Sequence, residues 1–279
     1  MKNAVCLRGY CGLGDNIYER PFIIEATRLY DEVYLYTPFP ELYHNLPRIH
    51  FCKPITKLRT QIKNINKYPD DFWETPEGMK KNLRFDYHRG RMEKDWSIIE
   101  SFNRVIPIEK LDFSMPLDPS WLNTARKVTN SIKTEKKICL LNQPSLRAEW
   151  MNTARNPKTE YFQMLVDKYR DEYFFISIGD NKEGVEWHAG EDIKDIDLRF
   201  DTGELDIFTI FGLVALSDMV ICYPSFLLPL SLAIKARCFC IYGGSVKNSI
   251  LTDPRMDLGN YSYVEPSPFC NCLLERHGC

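Results

Sequence analysis

The chain has 279 residues, 44% of them hydrophobic and 27% charged. That is ordinary for a soluble globular protein, and long enough for one large or two small domains with their own cores. A formal net charge of -2 excludes a general affinity for nucleic acid or anionic membrane, leaving only a local basic patch as a route to either.

Met1-Lys2-Asn3 runs straight into a strand-like segment, so no secretory leader is expected. The ten cysteines follow no disulfide-scaffold rhythm, which points to a reducing cytoplasm. The apolar-rich stretch from Ile207 to Ala236 is broken by Asp218, Pro224, Pro229 and Lys235, so no bilayer span is expected.

The first element is a short apolar run, Ala4-Val5-Cys6-Leu7, of the length of a buried strand. It leads into Arg8-Gly9-Tyr10-Cys11-Gly12-Leu13-Gly14-Asp15-Asn16, followed by a helix from Ile17 to Leu29 with Asn16 as its N-cap. Three glycines in six residues permit positive φ and a close backbone approach. Asp15 then stands at the mouth of the helix and at the carboxyl end of the first strand, where open α/β sheets place their ligands. The plainer alternative is a tight turn with Asp15 as a capping residue. A dinucleotide fingerprint would read G-x-G-x-x-G, with an acid closing the second strand. Here the second strand, Glu32 to Thr37, runs into Pro38, which argues against a nicotinamide enzyme, and no P-loop pattern occurs.

A short helix is expected from Pro40 to Leu46, a third strand over Ile49-His50-Phe51-Cys52, and a basic helix from Lys57 to Lys67. The segment from Pro69 to Pro76 reads as loop, rich in aromatics and acids, and Phe85-Asp86-Tyr87-His88-Arg89-Gly90-Arg91 continues it. Polar and aromatic loops on a rigid scaffold are candidates for an acceptor site, against a solvated insertion as the bland alternative. A helix from Lys94 to Val105, a turn from Pro116 to Trp121 and a helix from Leu122 to Ile132 follow.

The charged segment Lys133-Thr134-Glu135-Lys136-Lys137 then reads as a hinge, because a fresh β-α-β rhythm starts at Ile138. The expected domains are therefore 1–133 and 134–279. In the second, strands fall at Ile138–Leu141, Tyr173–Ile178, Met219–Cys222 and Cys238–Tyr242, with helices at Thr159–Tyr169, Asp206–Leu216 and Phe226–Ile234. The fold class is α/β: two Rossmann-like doubly wound domains facing across a cleft.

Several landmarks, in their order and spacing, carry a resemblance. They are Gly12-Leu13-Gly14-Asp15, the strand led by Asp218, the turn Tyr223-Pro224-Ser225, the helix end Leu232-Ala233-Ile234-Lys235-Ala236, and Ile241-Tyr242-Gly243-Gly244. Together they resemble the heptosyltransferase-like (family 9) glycosyltransferases of GT-B architecture. The late pair Cys270 and Cys272 echoes that family's Pro-Cys-x-x-Cys, while residues 45 to 130 match nothing in it. The resemblance implies a glycosyltransferase that moves a sugar from a nucleotide-sugar donor to a hydroxyl acceptor. Asp15 would be its general base, the first domain would face the acceptor and the second would bind the donor.

Where the family carries Asp-Thr/Ser-Gly-x-x-His, this chain has Tyr223-Pro224-Ser225-Phe226-Leu227-Leu228. That departure keeps two alternatives open: a GT-B epimerase or hydrolase, and a degenerate sugar-nucleotide-binding protein. Glycosyl transfer needs a base for the acceptor proton and cations or amides for the leaving diphosphate. With no metal or cofactor expected, the second task falls to donor-binding candidates Gly12, Gly14, Arg147, Arg155, Ser225 and Gly244. Arg8 flanks the turn and is a candidate for holding Asp15 ionised. Cys270, Cys272, His277 and Cys279 lack zinc-ribbon spacing and read as an exposed tail, and Cys238 and Cys240 as small core residues. The acceptor class is open: a glycan, a lipid-linked sugar or another hydroxyl, with nucleic acid disfavoured.

Overall fold

The structure, a computed structural model, describes residues 3–88, 95–149 and 151–269. Two compact units emerge: Met1–Phe113 with Ser249–Met256, and Ser114–Asn248 with the chain from Asp257 onward. Each carries its own parallel sheet.

The first unit contains β1 (Ala4–Arg8), α1 (Leu13–Leu29), β2 (Glu32–Tyr36), β3 (Ile49–Cys52), α2 (Arg59–Lys67), β4 (Asn82–Arg84) and α3 (Ile98–Asn103). Its sheet runs β3-β2-β1-β4, all parallel, with Arg8 opposite both Tyr36 and Arg84. Val5, Cys6 and Leu7 are fully buried, as a central parallel strand covered on both faces requires. Chain order places β2 and β3 on one side of β1 and β4 on the other, so the topological switch point lies between β1 and β4. Phe22 of α1 meets Phe85 after β4 and Phe102 of α3, with ring centroids 5.8–6.0 Å from its own. This aromatic core fixes α1 beneath the switch point. The returning segment is tied in by Tyr18 donating to the Leu251 carbonyl (2.6 Å) and Ser97 to Asp253 Oδ2 (2.7 Å).

The second unit contains α4 (Pro119–Ser131), β5 (Lys137–Leu141), β6 (Ser145–Arg147), α5 (Thr159–Tyr169), β7 (Tyr173–Ile178), β8 (Glu186–His188), β9 (Leu198–Phe200), α6 (Ile207–Leu216), β10 (Met219–Cys222), α7 (Leu227–Ala233) and β11 (Cys238–Ile241). The short α8 (Asn248–Leu251) opens the segment that belongs to the first unit, and β12 (Tyr261–Val264) returns to the second. The order β12-β11-β10-β5-β7-β9 is a doubly wound parallel sheet whose switch point lies between β5 and β10. β6 and β8 form a separate antiparallel ribbon above the β5 end, with Arg147 opposite Glu186.

Local chemistry corrects three expectations. The first helix starts at Leu13, not Ile17, and its N-cap is Gly12 in extended conformation without a side-chain cap. Asn16 does not cap: it is fully buried, and its side-chain amide reaches back to the carbonyls of Tyr10 (3.1 Å) and Gly12 (2.8 Å). Pro119 does not sit in a turn but opens α4 at its first position, where its missing N–H costs nothing, and Asp118 caps the helix through Ser120 N–H. That helix packs within the second unit, with Trp121 stacked on Phe208 of α6 at 4.5 Å. Finally, Gly9, Gly12 and Gly14 are absent from the described residues with positive φ. What Gly9 supplies is space: a Cβ there would overlap the Glu19 carboxyl.

Candidate functional site

The Gly9–Asp15 turn closes over the β1/β4 switch point. Asn16 braces it, since besides its two turn carbonyls its Oδ1 accepts from Thr37 Oγ1 (2.6 Å) and its main-chain carbonyl from Tyr43 OH (2.9 Å). Asp15 then lies in the first turn of α1, where the positive end of the helix favours a carboxylate. Tyr87, from the loop after β4, donates to Asp15 Oδ1 at 3.1 Å. The Tyr87 ring lies 4.7 Å from that of Tyr10, whose hydroxyl donates to Asp86 Oδ1 at 2.8 Å. Burial works against ionised Asp86, yet the Tyr10 hydroxyl and His88 N–H hold it below the usual carboxylate range. Burial and Asp86 together push the Tyr10 phenol up, so it stays a donor. The half-buried Cys11 thiol is pushed up to about 11, by burial first and then by Glu19 and Asp15.

Arg8 turns away from the carboxylates. Its guanidinium lies 4.4 Å over the Tyr36 ring and donates to Tyr36 OH at 3.3 Å, while Tyr36 OH meets Thr75 Oγ1 at 2.5 Å. Under the turn sits Glu19, one helical turn after Asp15 and wholly buried. Its Oε1 accepts from Tyr10 N–H (3.1 Å), and its Oε2 has no hydrogen-bond partner.

The second unit gathers the remaining candidates at its own switch point. Arg147 Nε lies 3.0 Å from Glu186 Oε1, on a side chain only 5% exposed. Ser145 Oγ donates to the same oxygen at 3.2 Å and stands 3.3 Å from Tyr223 OH. Arg155, at the end of a 3₁₀ turn (Thr153–Arg155), donates to the Pro224 carbonyl with its guanidinium over the Tyr223 ring at 5.8 Å. Gly243 follows β11, and a Cβ there would stand 2.6 Å from the Arg155 carbonyl oxygen, so this approach requires glycine. Gly244 accepts from Val246 N–H at 2.7 Å. Ser225 lies two residues before α7 and accepts from Leu227 N–H at 3.4 Å. α7 starts at Leu227 and has 7 residues, so it offers no long helix end to an anion.

Gly12, Gly14 and Asp15 thus cluster in one unit, and Arg147, Arg155, Ser225 and Gly244 in the other. Sequence reasoning passed over Tyr10, Glu19, Asp86, Tyr87 and Glu186. Tyr87 and Asp86 stood in the polar-aromatic loop already singled out, whereas nothing local marks Glu19 or Glu186. Cys270, Cys272, His277 and Cys279 lie outside the described residues, as do Arg89, Gly90 and Arg91. Among the described residues no group of three or more His, Cys, Asp or Glu is placed to hold a metal ion, and no helix is long and apolar enough to cross a membrane.

No family model matches the chain, and no curated protein matches it. Solved structures do. The iron-containing dodecameric glycosyltransferase TibC of enterotoxigenic E. coli H10407 superposes at a TM-score of 0.63 with 15% identity, over 97% of this chain and 64% of its own. ADP-heptose lipopolysaccharide heptosyltransferase II of E. coli gives 0.63 at 13% identity, over 94% and 90%. A family 9 glycosyltransferase of Veillonella parvula DSM 2008 gives 0.61 at 12%, over 95% and 86%. This chain has the fold of the GT-B glycosyltransferases. It spans less than two thirds of TibC's length, and identities this low carry the fold alone. Within that GT-B fold, the turn bearing Asp15 and the loops bearing Arg155 and Tyr223 occupy the switch points of its two sheets.

Proposed function

We propose that this chain transfers a glycosyl group from a nucleotide-sugar donor to a hydroxyl acceptor without a metal ion, Asp15 acting as general base. The observation that carries the reading is a carboxylate in the first turn of α1, at a sheet switch point, steadied by Tyr87, on the fold of glycosyltransferases. Asp15 takes the hydroxyl proton as the acceptor oxygen bonds to the anomeric carbon. The bond from that carbon to the diphosphate oxygen breaks, and the leaving group carries away the electron pair. The first unit serves the acceptor and the second the donor, with Arg155, Arg147, Ser225 and Gly244 facing the diphosphate charge. ADP-heptose, which TibC has been solved with, is the first donor to try. The seven described cysteines are free, in keeping with a cytoplasmic setting.

A panel of nucleotide sugars in thermal-shift assays, followed by diphosphate release with and without sugar acceptors, tests the reading. A donor at about 100 times its Kd stabilises by ~2.7 kcal/mol, a clear shift in Tm. Acceptor-dependent release supports transfer. Release without any acceptor supports a hydrolase or epimerase, and stabilisation without release a binding protein that has lost catalysis. No stabilisation by any donor contradicts the proposal.

A further inference from the structure

Glu19 is a buried acid at the first switch point that the proposed chemistry leaves unused. It is wholly buried, accepts a single hydrogen bond from Tyr10 N–H, and leaves Oε2 without a partner. Among the described residues no cation answers it. Arg20, its neighbour on α1, donates to the Leu42 carbonyl and Asn45 Oδ1, both at 3.0 Å, and Arg8 is committed to Tyr36. The titratable groups that act on it or feel it are Asp15 on α1, Cys11 in the turn and Tyr43 after β2, none of them positive. A carboxylate in that setting costs far more than a neutral carboxyl. Burial first, and Asp15 second, push the Glu19 carboxyl well above its ordinary range, against the pull of Tyr10 N–H.

The geometry also gives Glu19 a task. Its Oε1 fixes the backbone of Tyr10, whose ring packs on Tyr87, whose hydroxyl reaches Asp15. Gly9 leaves the room that this carboxyl fills. We infer that Glu19 is a positioning residue, held as a neutral acid beneath the turn, which sets the Tyr10–Tyr87 pair and through it the orientation of Asp15. This rests on the reading of Asp15 as the base, but the state and the structural role of Glu19 can be measured without turnover.

Three substitution experiments test it on the full chain. The first compares Tm for Glu19→Gln and the unchanged protein across about pH 4 to 8. The unfolded chain ionises this residue near pH 4.3, while the folded chain keeps its proton to higher pH. The unchanged protein therefore loses stability through Glu19 as pH rises, and the advantage of the permanently neutral glutamine widens. A gap that stays flat or narrows with rising pH overturns the neutral acid.

The second experiment follows Cys11 alkylation. Glu19→Met removes the acceptor for Tyr10 N–H and speeds labelling, while Glu19→Gln, which keeps an acceptor oxygen, restores the slow rate. Equal rates in all three proteins overturn the positioning role, whether or not transfer is detected. The third is kinetic: Glu19→Met lowers kcat by about 10- to 100-fold with the donor KM nearly unchanged, a cost expected of a misplaced base, and Glu19→Gln recovers it. Unaltered kcat in Glu19→Met also overturns the role. Should transfer fail in every protein, the reading of Asp15 falls, while the Tm gap and the labelling rates still decide Glu19.

Discussion

The two switch points of this molecule are built from opposite chemistry. In the first unit carboxyl groups and phenols gather: Asp15 with Tyr87, Asp86 with Tyr10, and Glu19 buried below. The adjacent arginine, Arg8, is stacked on Tyr36 instead of joining them. In the second unit two arginines dominate, one paired with buried Glu186 and one laid over Tyr223 with a bond to the Pro224 carbonyl. On the proposed reading, the same β-α-β winding serves as a proton-accepting edge in one sheet and an anion-receiving edge in the other. The fold supplies the position, and the loop residues supply the chemistry.

Substitutions that separate the two edges sharpen this contrast. Asp15→Asn lowers turnover by about 10²–10⁴-fold, the range for losing a positioned base, checked by initial rates of diphosphate release. Asp15→Asn and Asp15→Ala differ in stability by about 1 kcal/mol by thermal unfolding, because α1 has no side-chain cap to lose and what separates the two is the Tyr87 hydrogen bond, whose acceptor Asn keeps and Ala removes. Arg155→Ala weakens donor binding by about ten-fold or more, since a charge-assisted contact is worth ~1.5–3 kcal/mol. Unchanged affinity by calorimetric titration would assign that arginine to the Pro224 carbonyl alone.

Two glycine replacements form a matched pair. Gly9→Ala and Gly243→Ala each cost ~1–3 kcal/mol through overpacking, against the Glu19 carboxyl and the Arg155 carbonyl respectively. Only Gly243→Ala should weaken the donor, because only it shifts the Arg155 turn, and equal donor affinities in the two would break the comparison. The smallest effect falls on Arg147→Met. It costs stability, about 1 kcal/mol by thermal unfolding, by removing one donor to Glu186 Oε1 while Ser145 remains, and because Arg147 is already paired with Glu186 it weakens donor binding only a few-fold, less than Arg155→Ala.

Much of the fold was legible in the sequence. Thr159–Tyr169, Tyr173–Ile178 and Met219–Cys222 form over the residues their patterns mark, because long buried runs and 3.6-residue periodicity are local signals. β4, β9 and β12 were not legible. Asn82-Leu83-Arg84 has one apolar residue, and its strand exists only because β1 offers an edge to pair with. Asn16 misled for the same reason: an asparagine before an apolar run reads as a cap, but here tertiary contacts with Thr37 and Tyr43 capture its oxygen.

At the site, Asp15 stood out because glycines flank it, and Arg147 and Arg155 because they follow a strand end. Their partners did not. The Arg147–Glu186 pair depends on the register of the β6/β8 ribbon, and the burial of Glu19 on the fit of Gly9 against α1. Neither can be read from neighbouring residues.

The division of labour is tested most directly by titrating one nucleotide sugar, ADP-heptose first, into the Asp15→Asn protein and measuring acceptor-dependent transfer by the same sample. The account predicts a donor Kd within about two-fold of the unchanged protein, which is less than ~0.5 kcal/mol, together with transfer lowered by about 10²-fold or more. Near-normal transfer, or a donor Kd weakened in step with transfer, would contradict it and remove Asp15 from the role of base.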